Sequence, residues 1–214
     1  DMNRVWDAAT LDGPRQSAEL ARARELRPWV ETVDVLLDLH SMLWPSDAVV
    51  LCGETGKGAR MGLSLGAPST VVADGGHANG RRLIDYKRFS DPATPFAANL
   101  VEAGQHWDAR TVDVALASIA GLAHATGFAE MPSPGTRPRR FARVTAAVTA
   151  ATQNFRFVRA FRGGDVVAER NTLIALDGEA EIRTPHDDCM LLLPSLRPGR
   201  GHTAVRLARF EDVP

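Results

Sequence analysis

The stretch that most constrains this chain is residues 33–41, VDVLLDLHS. Its apolar residues do not alternate strictly with polar ones. A strand of that kind asks for cover on both faces, as in a parallel or mixed sheet. The run then ends in Asp38, Leu39, His40 and Ser41, so it delivers a histidine to the edge of a sheet. Ligands of open α/β sheets gather at the carboxyl ends of strands. His40 therefore marks a candidate site, against the plainer reading of a strand-end histidine hydrogen-bonded to a neighbour.

The rest of the chain falls into place around this strand. Residues 17–30 read as a helix capped by Ser17 and ended or bent by Pro28. Residues 48–52 (AVVLC) and 71–73 read as short strands. Between them lies a glycine-rich segment, residues 53–66, that reads as a mobile loop. Residues 96–102 (FAANLVE) form a further strand that ends in an ionisable group, Glu102. Residues 108–126 are the clearest helix, with Asp108 or Thr111 as cap, Gly127 as stop and an apolar stripe of Val112, Leu116, Ile119, Leu122 and Ala123. Residues 131–138 (MPSPGTRP) form the best linker. Beyond them seven short strand-like runs are separated by Gly and Pro-Gly turns, which predicts an all-β unit. The fold class expected is α/β, a mixed central sheet flanked by helices over residues 1–130, followed by a small all-β C-terminal domain over residues 131–214.

Composition excludes several functions. The 214 residues suffice for a real core, and the formal net charge of -1 offers no electrostatic case for a nucleic-acid or anionic-membrane partner. Cys52 and Cys189 are far apart and form no CxxC pair, so neither a disulfide framework nor a cysteine zinc site is indicated, and a reducing cytoplasm is the simplest location. No apolar run approaches the length of a membrane span. No lysine follows Lys87, which removes the attachment residue a biotinyl or lipoyl carrier needs.

Three signatures can converge: Asn3-Arg4, His40, and Glu102 with the loop to His106. A histidine and a glutamate at two strand ends suit metal-assisted hydrolysis, in which a metal acidifies water and a carboxylate shuttles the proton. An arginine beside an asparagine suits clamping a carboxylate. Taken in order, DMNRVW at 1–6, DLHS at 38–41 and LVEAGQH at 100–106 resemble the succinylglutamate desuccinylase/aspartoacylase family of zinc-dependent amidohydrolases, relatives of the zinc carboxypeptidases. The resemblance implies a zinc exopeptidase-like fold and a Zn(2+) cofactor. It also implies cleavage of the amide of an N-acyl amino acid or similar small carboxylate. It makes His40 the last of three zinc ligands, Glu102 the general acid/base, and Asn3 and Arg4 the substrate-carboxylate pair. An arginine upstream of the glutamate would also touch substrate, with Arg81, Arg82 and Arg88 as candidates and Arg82 as the choice. A homo-oligomer is compatible with this reading.

The family's first two zinc ligands come from an HxxE motif upstream of the Asn-Arg pair, and this chain has no HxxE. The start, Asp1-Met2-Asn3-Arg4, is not an initiator methionine. The expectation is a chain that begins partway into a longer protein, with the other two ligands upstream of Asp1. The alternative is a metal-free carboxylate-binding protein on the same scaffold. A serine hydrolase using Ser64 is a weaker alternative. Gly62-Leu63-Ser64-Leu65-Gly66 matches G-x-S-x-G, but its flanks lack the strand and helix that motif requires. His186-Asp187-Asp188-Cys189 reads as a turn rather than a metal cluster.

Overall fold

A computed structural model of the chain describes residues 1–77, 79–130 and 139–213. The linker expected over residues 131–138 lies outside the described residues. The chain opens with a 3-10 turn, Met2–Arg4, then helices α1 (Ala8–Asp12) and α2 (Ala18–Val30). Strands β1 (Val35–Met42) and β2 (Val49–Leu51), helix α3 (Gly56–Ser64) and strand β3 (Thr70–Ala73) follow. A second 3-10 turn (Leu83–Asp85), α4 (Lys87–Ser90), β4 (Ala97–Gln105) and α5 (Arg110–Thr126) complete the first part. The remainder is all strand: β5 (Arg140–Thr149), β6 (Phe155–Phe157), β7 (Val166–Val167), β8 (Leu173–Asp177), β9 (Ala180–Arg183), β10 (Cys189–Leu192) and β11 (Thr203–Glu211).

One eight-stranded mixed sheet runs in the order β1-β4-β2-β3-β5-β11-β10-β7, and β6-β8-β9 form a second, three-stranded sheet. The mixed sheet and flanking helices are those expected. The large sheet does not stop where the helices do: β3 pairs in parallel with β5, Val71 opposite Phe141. A division near residue 131 therefore separates the helix-covered and all-β parts of one continuous sheet.

Four local readings change. First, β1 is not covered on both faces, since Leu39 is 41% exposed, and among the described residues it is an edge strand paired with β4. Second, residues 56–64 are a helix and not a mobile loop. Thr55 caps it by accepting from the Gly58 amide, and its glycines let it lie hard against the sheet. A Cβ on Gly58 would stand 2.2 Å from the Cys52 carbonyl oxygen, so close packing outweighs glycine's poor helix propensity. Third, α2 runs through Pro28 to Val30, held by the buried Leu20, Ala23 and Val30. Fourth, α5 buries Ser118 and Gly121, whereas Val112, Leu116 and Ile119 face outward. The small face wins because the helix sits close on α3: a Cβ on Gly121 would fall 1.6 Å from the Leu65 carbonyl oxygen.

Candidate active site

His40 and Glu102 do not sit at strand tips. Both lie inside longer strands, and the parallel β1–β4 register sets them directly opposite one another. On its other side Glu102 faces Val49 of β2. The sheet register thus brings a histidine and a glutamate 62 residues apart in sequence into one site.

The N-terminal turn closes over them. Trp6 is 1% exposed, stacks edge-on against Tyr86 with ring centroids 6.0 Å apart, and its amide donates to the Arg81 carbonyl. This anchor fixes a segment that would otherwise fray. Asn3 then acts as a clip. Its Oδ1 accepts from the Leu83 amide at 2.6 Å, and its Nδ2 lies 3.4 Å from Asp38 Oδ2 and from His40 Nε2. His40 Nε2 is 3.0 Å from Asp38 Oδ1. The hydrogen bond to Asp38 raises the His40 pKa, partly against burial.

A cavity of about 150 Å³ collects Asn3, Arg4, His40, Arg82 and Glu102. Glu102 Oε2 is buried without a hydrogen-bond partner. Burial pushes the Glu102 carboxyl up to about 7, with His40 opposing and Asp38 adding to the rise. Arg4 donates to the Asn3 carbonyl at 2.6 Å and lies 3.5 Å from Asp1, so its guanidinium is the least committed of the cavity arginines. Burial, then Arg206 and Arg82, lower its pKa.

Arg82 is placed differently from its expected role. It is 1% exposed, and its guanidinium donates to Asp85 at 2.7 and 3.0 Å, to Asp74 Oδ2 at 2.8 Å and to the Asp74 carbonyl. It touches the cavity but braces the loop that forms the wall. Arg81 and Arg88 do not line this cavity; Arg88 lies 3.5 Å from the Phe96 ring centroid and donates to the Val33 carbonyl.

Two neighbours escaped the sequence reading. Arg206 on β11 is 4% exposed and reaches Asp74 Oδ2 at 3.1 Å, so Asp74 stands between two arginines. It also donates to His77 at 2.9 Å. Burial, with Arg206, Arg4 and Arg82, pushes His77 down to about 3, so its ring is neutral and accepts. An arginine inside the apolar run TAVRL and an aspartate closing β3 were the available signals. Gly80 joins the two halves of the wall. Its φ is +131° and a Cβ there would stand 2.1 Å from the Arg4 carbonyl oxygen, which only glycine tolerates.

Other candidates fall away. Ser64 ends α3 and its hydroxyl donates to the Met61 carbonyl, a helix-terminal bond rather than a nucleophile's. His106 pairs with Ser41 and does not line the cavity. His186 is buried against Thr145 and the Asp187 carbonyl. A catalytic zinc normally takes three protein ligands. Among the described residues no group of three histidine, cysteine, aspartate or glutamate side chains is arranged to hold a metal ion. With His40 Nε2 engaged by Asp38, those residues fit one corner of a zinc site and do not complete one. No described helix is long and apolar enough to cross a membrane.

The mixed sheet with this site at the β1–β4 register is a zinc exopeptidase-like fold. Solved structures of succinylglutamate desuccinylase/aspartoacylase proteins share it. Succinylglutamate desuccinylase from Vibrio parahaemolyticus aligns over 99% of this chain and 67% of its own, with TM-score 0.72 and 17% identity. The succinylglutamate desuccinylase/aspartoacylase from Rhodobacter sphaeroides aligns over 99% and 68%, with TM-score 0.70 and 13% identity. The product-bound ectoine utilization protein EutE from Ruegeria pomeroyi aligns over 97% and 66%, with TM-score 0.64 and 12% identity. The chain spans about two thirds of the length of these structures. No protein-family profile and no curated protein matches the sequence.

Proposed function

We propose that this site serves hydrolysis of the amide bond of an N-acyl amino acid or similar small carboxylate, a deacylase reaction, with Glu102 as general acid/base. The observation that carries the proposal is the buried, unpartnered Glu102 Oε2, register-paired with His40 in a cavity that Arg4 also lines. A group near its midpoint at neutral pH can both take and return a proton, and Glu102 at about 7 meets that requirement.

In this reading Arg4 holds the substrate carboxylate and Asn3 keeps the Arg4 turn in register with Asp38 and His40. Glu102 takes a proton from the attacking water as its oxygen bonds to the acyl carbon. As the C–N bond breaks, Glu102 returns that proton to the leaving amine. Arg82 holds the wall in place through Asp74 and Asp85. His40 is the residue that would ligate zinc, whose chemistry when bound is to acidify water and polarise the carbonyl. The fold likeness supports a hydrolase of this class.

A second reading, carboxylate binding without catalysis, is favoured by Arg4, the least committed of the cavity arginines. Glu102→Gln separates the two. Turnover across a panel of N-acyl amino acids should fall by about 10²- to 10⁴-fold while carboxylate binding persists, with metal analysis of the same samples reporting zinc. Unchanged turnover in Glu102→Gln removes Glu102 from the chemistry, and no turnover in the unmodified protein leaves only the binding reading.

A further inference from the structure

Glu102 and Leu193 line a second cavity besides the one already described, about 200 Å³ in volume. Its wall is Met42, Leu43, Trp44, Pro45, Leu193 and Pro194 with Ser41, Ser46 and Ser195 between them, and among the described residues Glu102 is its sole ionisable lining residue. The backbone is bent on both sides of it. The β1–β4 register slips between His40 and Met42, and Leu193 adopts φ of +52°, uncommon for a residue with a side chain. Bulges and left-handed residues of this kind concentrate at ligand sites, where they re-aim side chains. Neither cavity alone reaches the roughly 300 Å³ at which small-molecule sites usually begin, and the two share Glu102 and Leu193 in their linings.

Resting on the deacylase reading, we infer that the substrate straddles Glu102: its amino-acid carboxylate lies on the Arg4 side, and an apolar acyl group fills the pocket of Met42, Trp44, Pro45, Leu193 and Pro194. The chemistry of the pocket selects against a charged acyl group. A succinyl carboxylate there would meet serine hydroxyls and no cation, and would lie next to the Glu102 carboxyl. A benzoyl or branched alkyl acyl group loses only its hydration there.

The test compares N-benzoyl, N-acetyl and N-succinyl derivatives of one amino acid at a time across a set of amino acids. It reads kcat/KM with the protein and equilibrium binding with Glu102→Gln, so that the binding arm does not depend on turnover. The expected result is a benzoyl over succinyl preference of at least about tenfold in both readouts. Trp44→Ala should narrow that ratio, and Trp44→Arg should reverse it by giving the pocket a cation. Leu43→Ala, at an exposed position, repeats the narrowing test should the Trp44 variants fail to fold. Succinyl preference, equal binding of the three, or a ratio unmoved by every variant overturns the inference, whether or not amides are hydrolysed. Benzoyl-selective binding without turnover sinks the deacylase reading and keeps the pocket's selectivity.

Discussion

Glu102→Gln should make the protein more stable, and the gain should appear only as pH rises. In the fold, burial holds the Glu102 carboxyl near 7, against 4.5 for the ordinary group. At about 1.4 kcal/mol for each factor of ten, ionising it inside the fold costs on the order of 3 kcal/mol. A carboxyl with a raised folded value stabilises the fold while protonated. That contribution is complete below about pH 4.5 and is lost as pH climbs through about 7. Glutamine keeps the shape and cannot ionise. Urea unfolding with a chelator present, at about pH 5 and about pH 8, isolates the effect, because every other titrating group is common to both proteins. The two should differ little at the lower pH. At the higher pH the variant should lead by about 3 kcal/mol, or roughly 6 °C or more in Tm for a chain of this size. A difference that does not change with pH, or a wild type more stable at the higher pH, refutes the buried, uncompensated carboxylate.

Three further outcomes follow from the cavity wall. Arg82→Ala strands the buried Asp85 and leaves the buried Asp74 with Arg206 alone, and should cost about 3–5 kcal/mol in denaturant unfolding. Arg4→Ala removes a partly exposed guanidinium whose ion-pair partner in the fold is the exposed Asp1 at 3.5 Å, so stability should change by well under 1 kcal/mol. KM for an N-acyl amino acid should then rise about 10- to 100-fold, the worth of one charge-assisted contact. Gly80→Ala forces a side chain into the left-handed region against the Arg4 carbonyl, and should cost about 1–3 kcal/mol while raising KM with it. An unchanged KM in Gly80→Ala would mean that the Arg4 turn does not depend on that contact.

Much of this molecule was legible in residue order. Local signals, the apolar runs and the turns between them, marked the central strands and all seven C-terminal strands. The motifs NR, DLHS and LVEAGQH identified Asn3, Arg4, His40 and Glu102, and all four line one cavity. Motifs carry this information because each is a short run of chain whose chemistry is local. What failed was every reading that depended on a neighbour. The α3 glycines look like a loop until the sheet they press against is present, and the α5 stripe looks inward until α3 claims the small face. The bracing of Arg82 by Asp74 and Asp85 has no local signature either.

The opening strand shows the division most plainly. Sequence alone determined that residues 33–41 form a strand bearing a histidine, because the apolar run and its polar end are properties of adjacent residues. Only the tertiary structure decided that this strand is an edge, that His40 lies within it rather than at its tip, and that its partner is Glu102. It also decided that Arg206, over a hundred residues away from both, shares their cavity. Pairing register and burial are set by long-range contacts, and a linear pattern carries no record of which distant strand supplies them.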